Sequence, residues 1–291
     1  MMTVLENHEL IAKISSHGAE AHSLYDKTTK TEYIWQGDKT YWSWHAPICF
    51  PITGRVHNDE YIFENKKYAL TVHGFARDYE FSLLKKTENS VIYELIYNDE
   101  SLKVYPFKFS LQLEYVLSEN GLQVNYTVKN LEDVNKDIFF ALGLHTAYNC
   151  PLEKTDDFED YELIFEQKET AKRHFLSNGI INNETADLLN DDTLAISKKL
   201  FEKDLILLKQ IKSKYVTLKS KKSGKFVRVY FNNFNNVGFW TKPQGAPFVC
   251  IEPWNGLPDV KDKYVDFSEK EEICKLKSNE EFNCSYKIEI K

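Results

Sequence analysis

The strongest constraint on the fold is an alternation of apolar and polar side chains with a period of two. From Phe107 to Leu117 every second residue is apolar, and the same alternation recurs over residues 122–128, 227–231 and 284–290. Successive side chains of a strand point to opposite faces of a sheet, so this pattern is typical of antiparallel strands with one buried face. Turn-forming residues separate these segments, at Glu119-Asn-Gly121, Lys222-Ser-Gly224, Asn232-Asn233 and Asn235-Asn236.

Helical signals are few and short. They predict single turns at Asp99–Lys103, Thr185–Asn190 and Phe201–Asp204, and none is sustained over three turns. There is no glycine-rich phosphate loop and no alternation of strands with helices, which excludes nucleotide-binding α/β folds. We therefore expect an all-β chain that forms one antiparallel sandwich domain over residues 1–291, with few short helices.

Composition and charge limit the kinds of partner that we expect the protein to bind. The net charge is −7, whereas a nucleic-acid surface needs a basic patch, so we expect no nucleic-acid partner. No apolar run of about 18 residues is present, and the first residues are too polar for a signal peptide, so we expect a cytoplasmic protein without a membrane partner. The five cysteines show no CxxC spacing and are expected to be free, mostly buried thiols.

Four segments break the strand pattern and concentrate polar and aromatic residues. These segments are Trp42–Arg55, His73–Arg77, Leu142–Tyr148 and Cys250–Asp259. Only four of the 37 basic residues are arginine, and two of these, Arg55 and Arg77, lie in the first two segments. The guanidinium group is a fixed fork of donors that suits hydroxyl groups or a phosphate. A surface ion pair of Arg77 with Asp78 or Glu80 is the alternative interpretation.

The other two segments each place one titratable residue directly after an apolar run that we expect to form a buried strand. His145 follows Phe139–Leu144 and could act as a general acid or base, or be a core histidine bonded to a backbone carbonyl. Glu252 follows Phe248–Ile251, and a carboxylate buried there must be paired or hydrogen-bonded. Trp254 could stack on an apolar ligand face or fill the core.

Taken together and in order, these segments resemble the aldose 1-epimerase (galactose mutarotase-like) superfamily, and most closely its LacX-like branch. The matching motifs cover most of the chain: Gly18-Ala-Glu20, Tyr33-Ile-Trp-Gln-Gly-Asp38, Ala46-Pro47, Phe50-Pro-Ile-Thr-Gly-Arg55, His73-Gly-Phe-Ala-Arg-Asp78, Tyr105-Pro-Phe107, Leu142-Gly-Leu-His145, Phe201-Glu-Lys-Asp204 and Ile251-Glu-Pro-Trp-Asn-Gly-Leu257. The resemblance implies a large antiparallel β-supersandwich with its active site in an open cleft on one sheet.

The resemblance also implies roles for individual residues. It makes His145 the general acid and Glu252 the general base, and we expect Glu252 to help keep His145 protonated. His73 and Arg55 are implied to hold the sugar. Asp204 is implied to bind ring hydroxyls, although Asp191 or Asp192 in the same weakly patterned part of the chain could do so instead. Arg77 matches the second arginine of the motif, and Trp254 is a candidate stacking surface.

The implied reaction interconverts the α and β anomers of a hexose such as galactose or glucose. A base removes the proton of the C1 hydroxyl while an acid protonates the ring oxygen, which requires neither a metal nor a cofactor. The partner is then a small-molecule aldose, and the open cleft is compatible with a monomer or a weak homodimer.

Three other functions remain open from the sequence. The first is a hexose-6-phosphate 1-epimerase, with Arg77 clamping the phosphate. The second is a non-catalytic carbohydrate-binding or sugar-sensing protein on the same fold. The third is a zinc hydrolase that uses His45, His57, His73 and His145, although these histidines lack the short ligand spacings of common zinc sites.

Overall fold

The computed structural model describes residues 1–291 and is built almost entirely from β-strands. In chain order the strands are β1 (Met2–Glu6), β2 (Leu10–Ser15), β3 (Ala21–Asp26), β4 (Thr31–Glu32), β5 (Ile48–Cys49), β6 (Glu60–Phe63), β7 (Lys66–Ala69), β8 (Ser82–Lys86), β9 (Ser90–Ile96), β10 (Phe109–Ser118), β11 (Gly121–Asn130), β12 (Ile138–Phe140), β13 (Leu142–Leu144), β14 (Thr146–Asn149), β15 (Tyr161–Ser177), β16 (Ile180–Ala195), β17 (Ile206–Leu208), β18 (Tyr215–Ser220), β19 (Phe226–Asn232), β20 (Asn236–Trp240), β21 (Phe248–Asn255), β22 (Cys274–Leu276) and β23 (Glu281–Ile290).

The helical content is one α-helix, α1 (Asp99–Val104), and five 3-10 turns. The turns span His57–Asp59, Ala76–Asp78, Phe158–Asp160, Lys198–Phe201 and Phe267–Glu269. Helix α1 confirms the first predicted turn, and Asn98 caps it by accepting hydrogen bonds from the N–H groups of Glu100 and Ser101. No helix in the structure is long and apolar enough to cross a membrane.

Of the other two predicted helical turns, one is absent from the structure and one is displaced. Residues 185–190 are part of strand β16, so the turn predicted there is wrong: pairing with β15 overrides a weak local preference. The third predicted turn is displaced, because the 3-10 turn ends at Phe201 and Asp204 follows it in a left-handed conformation, with φ of 63°.

The four strongly alternating segments form antiparallel strands, as their pattern predicts, and the structure places them side by side in one sheet. Strands β10 and β11 pair without a bulge from Phe109↔Asn130 to Ser118↔Gly121, and β23 lies between β11 and β19. Along β10 and β11 the inward side chains are buried and those between them are half-exposed. The predicted tight turn at Glu119 and Asn120 is confirmed by this register.

Fifteen strands form the large sheet, and every pairing between named strands is antiparallel. Its main path runs β5-β13-β21-β20-β17-β15-β18-β19-β23-β11-β10-β9-β8, with β14 paired to β21 and β16 to β15. A second sheet has the order β1-β2-β3-β4, and two hairpin-sized sheets pair β6 with β7 and β12 with β22. The chain is therefore a large antiparallel β-supersandwich, which confirms the predicted fold class.

The small N-terminal sheet packs against the β9–β10 end of the large sheet. The hydroxyl of Tyr115 donates to the carbonyl oxygen of Ala19 at 2.5 Å, and the hydroxyls of Thr3 and Tyr93 lie 2.7 Å apart. One contiguous core of 64 buried residues includes side chains from both sheets, so neither sheet has a separate core. The cysteines are free, and all except Cys274 are buried, as expected.

Candidate active site

A cleft of ≈ 390 Å³ lies over the part of the large sheet that contains β13, β21 and β20. His145 lies at the junction of β13 and β14, and Glu252 lies within β21. Loops between β5 and β8 contribute Arg55, His73 and Arg77, and Asp204 precedes β17. All seven residues predicted for the site line this one cleft: Arg55, His73, Arg77, His145, Asp204, Glu252 and Trp254.

Glu252 and His145 form the most unusual pair in the cleft. Oε2 of Glu252 lies 3.5 Å from Nε2 of His145, and the Glu252 side chain is completely buried. Neither carboxyl oxygen of Glu252 has a hydrogen-bond partner, and Nδ1 of His145 has none either. Because buried polar atoms are nearly always hydrogen-bonded, the geometry indicates that a ligand supplies the missing partners.

Burial controls the protonation of both groups in the free protein. Burial, together with the negative charge of Asp204, raises the pKa of Glu252 well above its ordinary value. Burial, with the positive charge of Arg77 adding to it, lowers the pKa of His145 to about 3. The expectation that Glu252 keeps His145 protonated is therefore wrong for the free protein, because burial favours the neutral imidazole of His145 and the protonated carboxyl group of Glu252.

His73 presents a neutral imidazole to the cleft. The N–H of Gly54 donates to its Nδ1 at 3.1 Å, so the ring proton of the neutral form lies on Nε2. Burial lowers the pKa of His73 well below its ordinary value, and the charge of a protonated His145 lowers it further. The ring has edge-to-face contact with that of His145, with centroids 5.2 Å apart. His73 can thus donate one hydrogen bond to a ligand.

The two arginines have unused donors. Arg55 pairs with Asp59 at 3.1 Å through one terminal nitrogen, and its buried Nε has no partner. Arg77 donates from Nη2 to the carbonyl oxygen of Val72 at 2.9 Å, and its buried Nε is also unpaired. The Arg77 side chain is only 15% exposed and lies over the ring of Trp44, whereas Asp78 is 3.9 Å from it. Arg77 thus lines the cleft and also forms a long ion pair with the exposed Asp78.

Asp204 is fixed in the cleft by a tryptophan that the sequence analysis did not select. The indole N–H of Trp240 donates to Oδ1 of Asp204 at 2.6 Å, which leaves Oδ2 free for a ligand. The alternatives Asp191 and Asp192 lie exposed on β16 and do not line the cleft, so they are excluded as its carboxylate.

The tryptophans that expose aromatic surface in the cleft are not the one that was predicted for stacking. Trp254 is only 1% exposed and offers little surface for stacking. Three half-exposed tryptophans, Trp42, Trp44 and Trp240, line the cleft instead. Trp42 stacks on the imidazole of His145, with centroids 4.8 Å apart and planes 28° apart. Trp42 and Trp44 lie in the first polar segment, which was the available sequence signal, but Trp240 ends an ordinary strand and carried none.

The four histidines proposed for a zinc hydrolase do not assemble. His45 lies beside Glu20, and Nε2 of His57 donates to the carbonyl oxygens of Val260 and Lys263. Only His73 and His145 are neighbours. Within the cleft, His145, Cys250 and Glu252 come close enough to hold a metal, but burial raises the pKa values of Cys250 and Glu252, which opposes the deprotonated forms that a metal needs.

The chain is similar to known proteins of one family. The family model for aldose 1-epimerase matches residues 1–264. Two curated relatives from Lactococcus lactis subsp. lactis, the plasmid and chromosomal forms of Protein LacX, are each 34% identical over 99% of both chains.

Solved structures show the same fold. A galactose mutarotase related enzyme from Lactobacillus acidophilus has a TM-score of 0.95 at 32% identity and covers 100% of this chain and 97% of its own. A galactose mutarotase-like protein from Lactobacillus casei has a TM-score of 0.94 at 32% identity, with 100% of both chains covered. The galactose 1-epimerase of Lactobacillus acidophilus, at 15% identity and a TM-score of 0.73, shares the fold. The chain therefore belongs to the aldose 1-epimerase family.

Proposed function

We propose that the protein is an aldose 1-epimerase that interconverts the α and β anomers of a hexose such as galactose or glucose. The observation that carries this proposal is the Glu252–His145 pair, with 3.5 Å between Oε2 and Nε2 and three polar atoms that lack partners. A base and an acid at one cleft are the two groups that opening a pyranose ring requires.

The reaction conserves protons and electrons. Glu252 takes the proton of the C1 hydroxyl, His145 gives a proton to the ring oxygen, and the C1–O5 bond breaks. The open aldehyde rotates about C1–C2, and closure on the other carbonyl face returns both protons. Each positioned group typically contributes about 10²–10⁴-fold in rate.

Sugar binding prepares the pair for this chemistry. In the free protein burial disfavours the ion pair and favours the form with the proton on Glu252. Sugar hydroxyls that donate to the two unpartnered Glu252 oxygens stabilise the carboxylate. The proton then moves to His145, which creates the base and the acid together when substrate is present.

The remaining cleft groups suit a sugar ring. His73 and Arg55 offer N–H donors, and the free oxygen of Asp204 accepts from ring hydroxyls. Trp42 and Trp240 supply half-exposed aromatic faces for the apolar face of the ring. We further propose a cytoplasmic location, where free thiols such as those present here persist.

The decisive test is Glu252→Gln, measured by polarimetry on freshly dissolved α-galactose and α-glucose. Glutamine has nearly the shape of the protonated carboxyl group, so the fold is retained, but it cannot take a proton. We expect the rate to fall by about 10²–10⁴-fold. The exposed Glu88→Gln is the matched control and keeps full activity. Full mutarotation by both Glu252→Gln and His145→Ala would refute the acid–base assignment.

A wild-type protein that binds these sugars without accelerating anomer exchange would instead be a non-catalytic sugar-binding protein on this fold. Line broadening between the anomeric proton signals, measured by NMR with and without protein, distinguishes exchange from binding.

A second substrate class is favoured by the two arginines with unused donors in the same cleft. Arg55 and Arg77 each have a buried Nε without a partner, and guanidinium groups bind phosphate well. If the substrate is a hexose 6-phosphate, Arg77→Ala lowers kcat/KM on the phosphorylated sugar at least tenfold and leaves the free sugar unchanged. Equal effects of Arg77→Ala on galactose and on galactose 6-phosphate would exclude a phosphate clamp.

A further inference from the structure

A second cluster of ionisable side chains lies outside the catalytic cleft, where β3 meets the segment before β5. Its members are Glu20, His22 and His45, none of which lines the cleft. Oε2 of Glu20 is 3.0 Å from Nε2 of His22 and 3.7 Å from Nδ1 of His45. The three ligand atoms lie within 4.8 Å of one another.

We propose that Glu20, His22 and His45 form a binding site for a divalent transition-metal ion, with zinc as the ion of best-matched chemistry. Two imidazoles and a carboxylate are ligands that zinc takes commonly. Bonds of 2.0–2.2 Å at tetrahedral angles would place ligand atoms about 3.3 Å apart, and the two measured distances bracket that value.

The position of the carboxylate supports the site. The Glu20 side chain is only 5% exposed, and its Oε1 accepts from the backbone N–H groups of His45 and Ala46. This holds the carboxylate in place while Oε2 faces the two imidazoles.

One ring nitrogen in the cluster makes no hydrogen bond. Nδ1 of His45 is buried, and Oε2 of Glu20, at 3.7 Å, is too far away for a hydrogen bond. Gly37 passes so close to this ring that a Cβ at position 37 would lie 2.8 Å from Cε1 of His45. A metal bound at Nδ1 would give this buried nitrogen a partner.

The second imidazole has room to adjust. The rings of His22 and His45 stack at 3.9 Å with planes 12° apart, so His22 must tilt for both nitrogen lone pairs to reach one ion. The His22 side chain is 28% exposed and can turn on its solvent side. That same side leaves an open position for water as a fourth ligand.

The ion would connect two parts of the chain that support the catalytic residues. Oε1 of Glu20 accepts from the backbone N–H groups of His45 and Ala46. The carbonyl groups of His45 and Pro47 in turn accept from the N–H groups of Ala147 and His145. A metal at Glu20 would thus fasten β3 to the segment that pairs with the backbone of His145.

The test is titration of the metal-stripped full chain with zinc chloride by isothermal calorimetry, beside thermal unfolding. We expect one zinc per chain and, at zinc about 100-fold above Kd, a Tm increase of about 4 °C. In His22→Ala the affinity falls at least about 100-fold, since the loss of even an outer partner of a metal costs about 10–100-fold. His22→Gln keeps a donor for Glu20 without an imidazole and serves if His22→Ala does not fold.

Two matched variants make the test specific. His8→Ala removes an exposed histidine elsewhere, and Glu252→Gln disables the cleft group, so both should bind zinc like wild type. Zinc affinity that survives in both His22 variants, or that is lost in Glu252→Gln, would overturn the proposal, as would the absence of saturable binding by wild type. Because binding is read by heat and Tm, failure here is separate from failure of the proposed reaction.

Discussion

At the base of the cleft a carboxyl group and an imidazole, both buried, are held next to each other without the hydrogen bonds that normally stabilise such groups. Each would be costly as an isolated charge, so in the free protein burial favours the neutral form of the pair, which carries one proton. An acid–base pair of this kind keeps the single proton that catalysis needs over a wide range of pH.

This state predicts an unusual pH profile for kcat/KM, which reports the ionisations of the free enzyme. Activity is lost at acidic pH only when His145 accepts a second proton, because the pair then has no base. With the pKa of His145 lowered to about 3, that limb lies far below the ordinary histidine value of 6.5. On the alkaline side, activity is lost when the pair gives up its only proton, above the ordinary range of a carboxyl group.

Mutarotation rates measured by polarimetry between pH 4 and pH 8, corrected for the uncatalysed reaction, test this profile. We expect a plateau through pH 6.5. An acid limb near pH 6.5 that disappears in His145→Ala would contradict the neutral pair.

At the scale of elements, the segment between β4 and β5 has almost no regular structure, yet it carries Trp42 and Trp44 and supports the backbone of His145. Glu20, directly before β3, holds this segment by accepting two of its backbone N–H groups at 2.8 and 2.9 Å. A single ionised side chain thus replaces the ladder of hydrogen bonds that a strand would have provided.

Glu20→Gln is therefore expected to destabilise the fold in a pH-dependent way. The folded pKa of about 2 lies below the ordinary 4.5, so the stabilisation is complete above about pH 4.5 and is lost as the pH falls towards 2. The shift corresponds to about 3 kcal/mol at neutral pH. Urea unfolding at pH 7 and pH 3 should show a smaller difference between wild type and Glu20→Gln at pH 3, with Glu88→Gln as control. An equal difference at both values would mean that the charge is unimportant.

The elements differ in how far the sequence predicts them. Strands β10, β11, β19 and β23 were predictable because one face is buried and the other is not. The hairpin of β15 and β16 was not, because β16 exposes most of its side chains and its residues 185–190 suggest a helical turn. Pairing with β15 makes this segment a strand, and the local sequence pattern carries no information about that pairing.

The site residues also fall into two groups, one that the sequence pattern indicates and one that depends on the folded structure. His145 and Glu252 follow apolar runs whose burial the pattern indicates, so their burial could be inferred from their position, whereas their roles were implied only by the family resemblance. The contact of Trp240 with Asp204, and the stacking of Trp42 on His145, join residues far apart in the chain and depend on the folded sheet. The protonation of the pair was predicted wrongly because depth of burial, which is a property of the fold, outweighs the attraction between the two charges.

On the scale of the whole molecule, two sheets share one hydrophobic core, and the large sheet is continuous from β5 to β8. Because the main core of 64 residues includes side chains from both sheets, a single domain over residues 1–291 is the organisation that we propose.

A single domain predicts one cooperative unfolding transition. Differential scanning calorimetry should show one peak whose calorimetric enthalpy equals the van't Hoff enthalpy. Two separated peaks would instead mean that the N-terminal sheet, β1–β4, unfolds independently. The comparison is best made in the absence of added metal and sugar, because ligands shift the transition by mass action.

The distribution of tryptophan has a practical consequence. Four of the five tryptophans line the cleft, and the indole N–H of the fifth, Trp35, donates to the carbonyl group of Trp42 at 2.8 Å. The ultraviolet emission of this protein therefore originates almost entirely at its binding surface. A sugar that displaces water from these indoles changes the emission, so occupancy can be followed without a label, even for substrates whose optical rotation changes too little to measure.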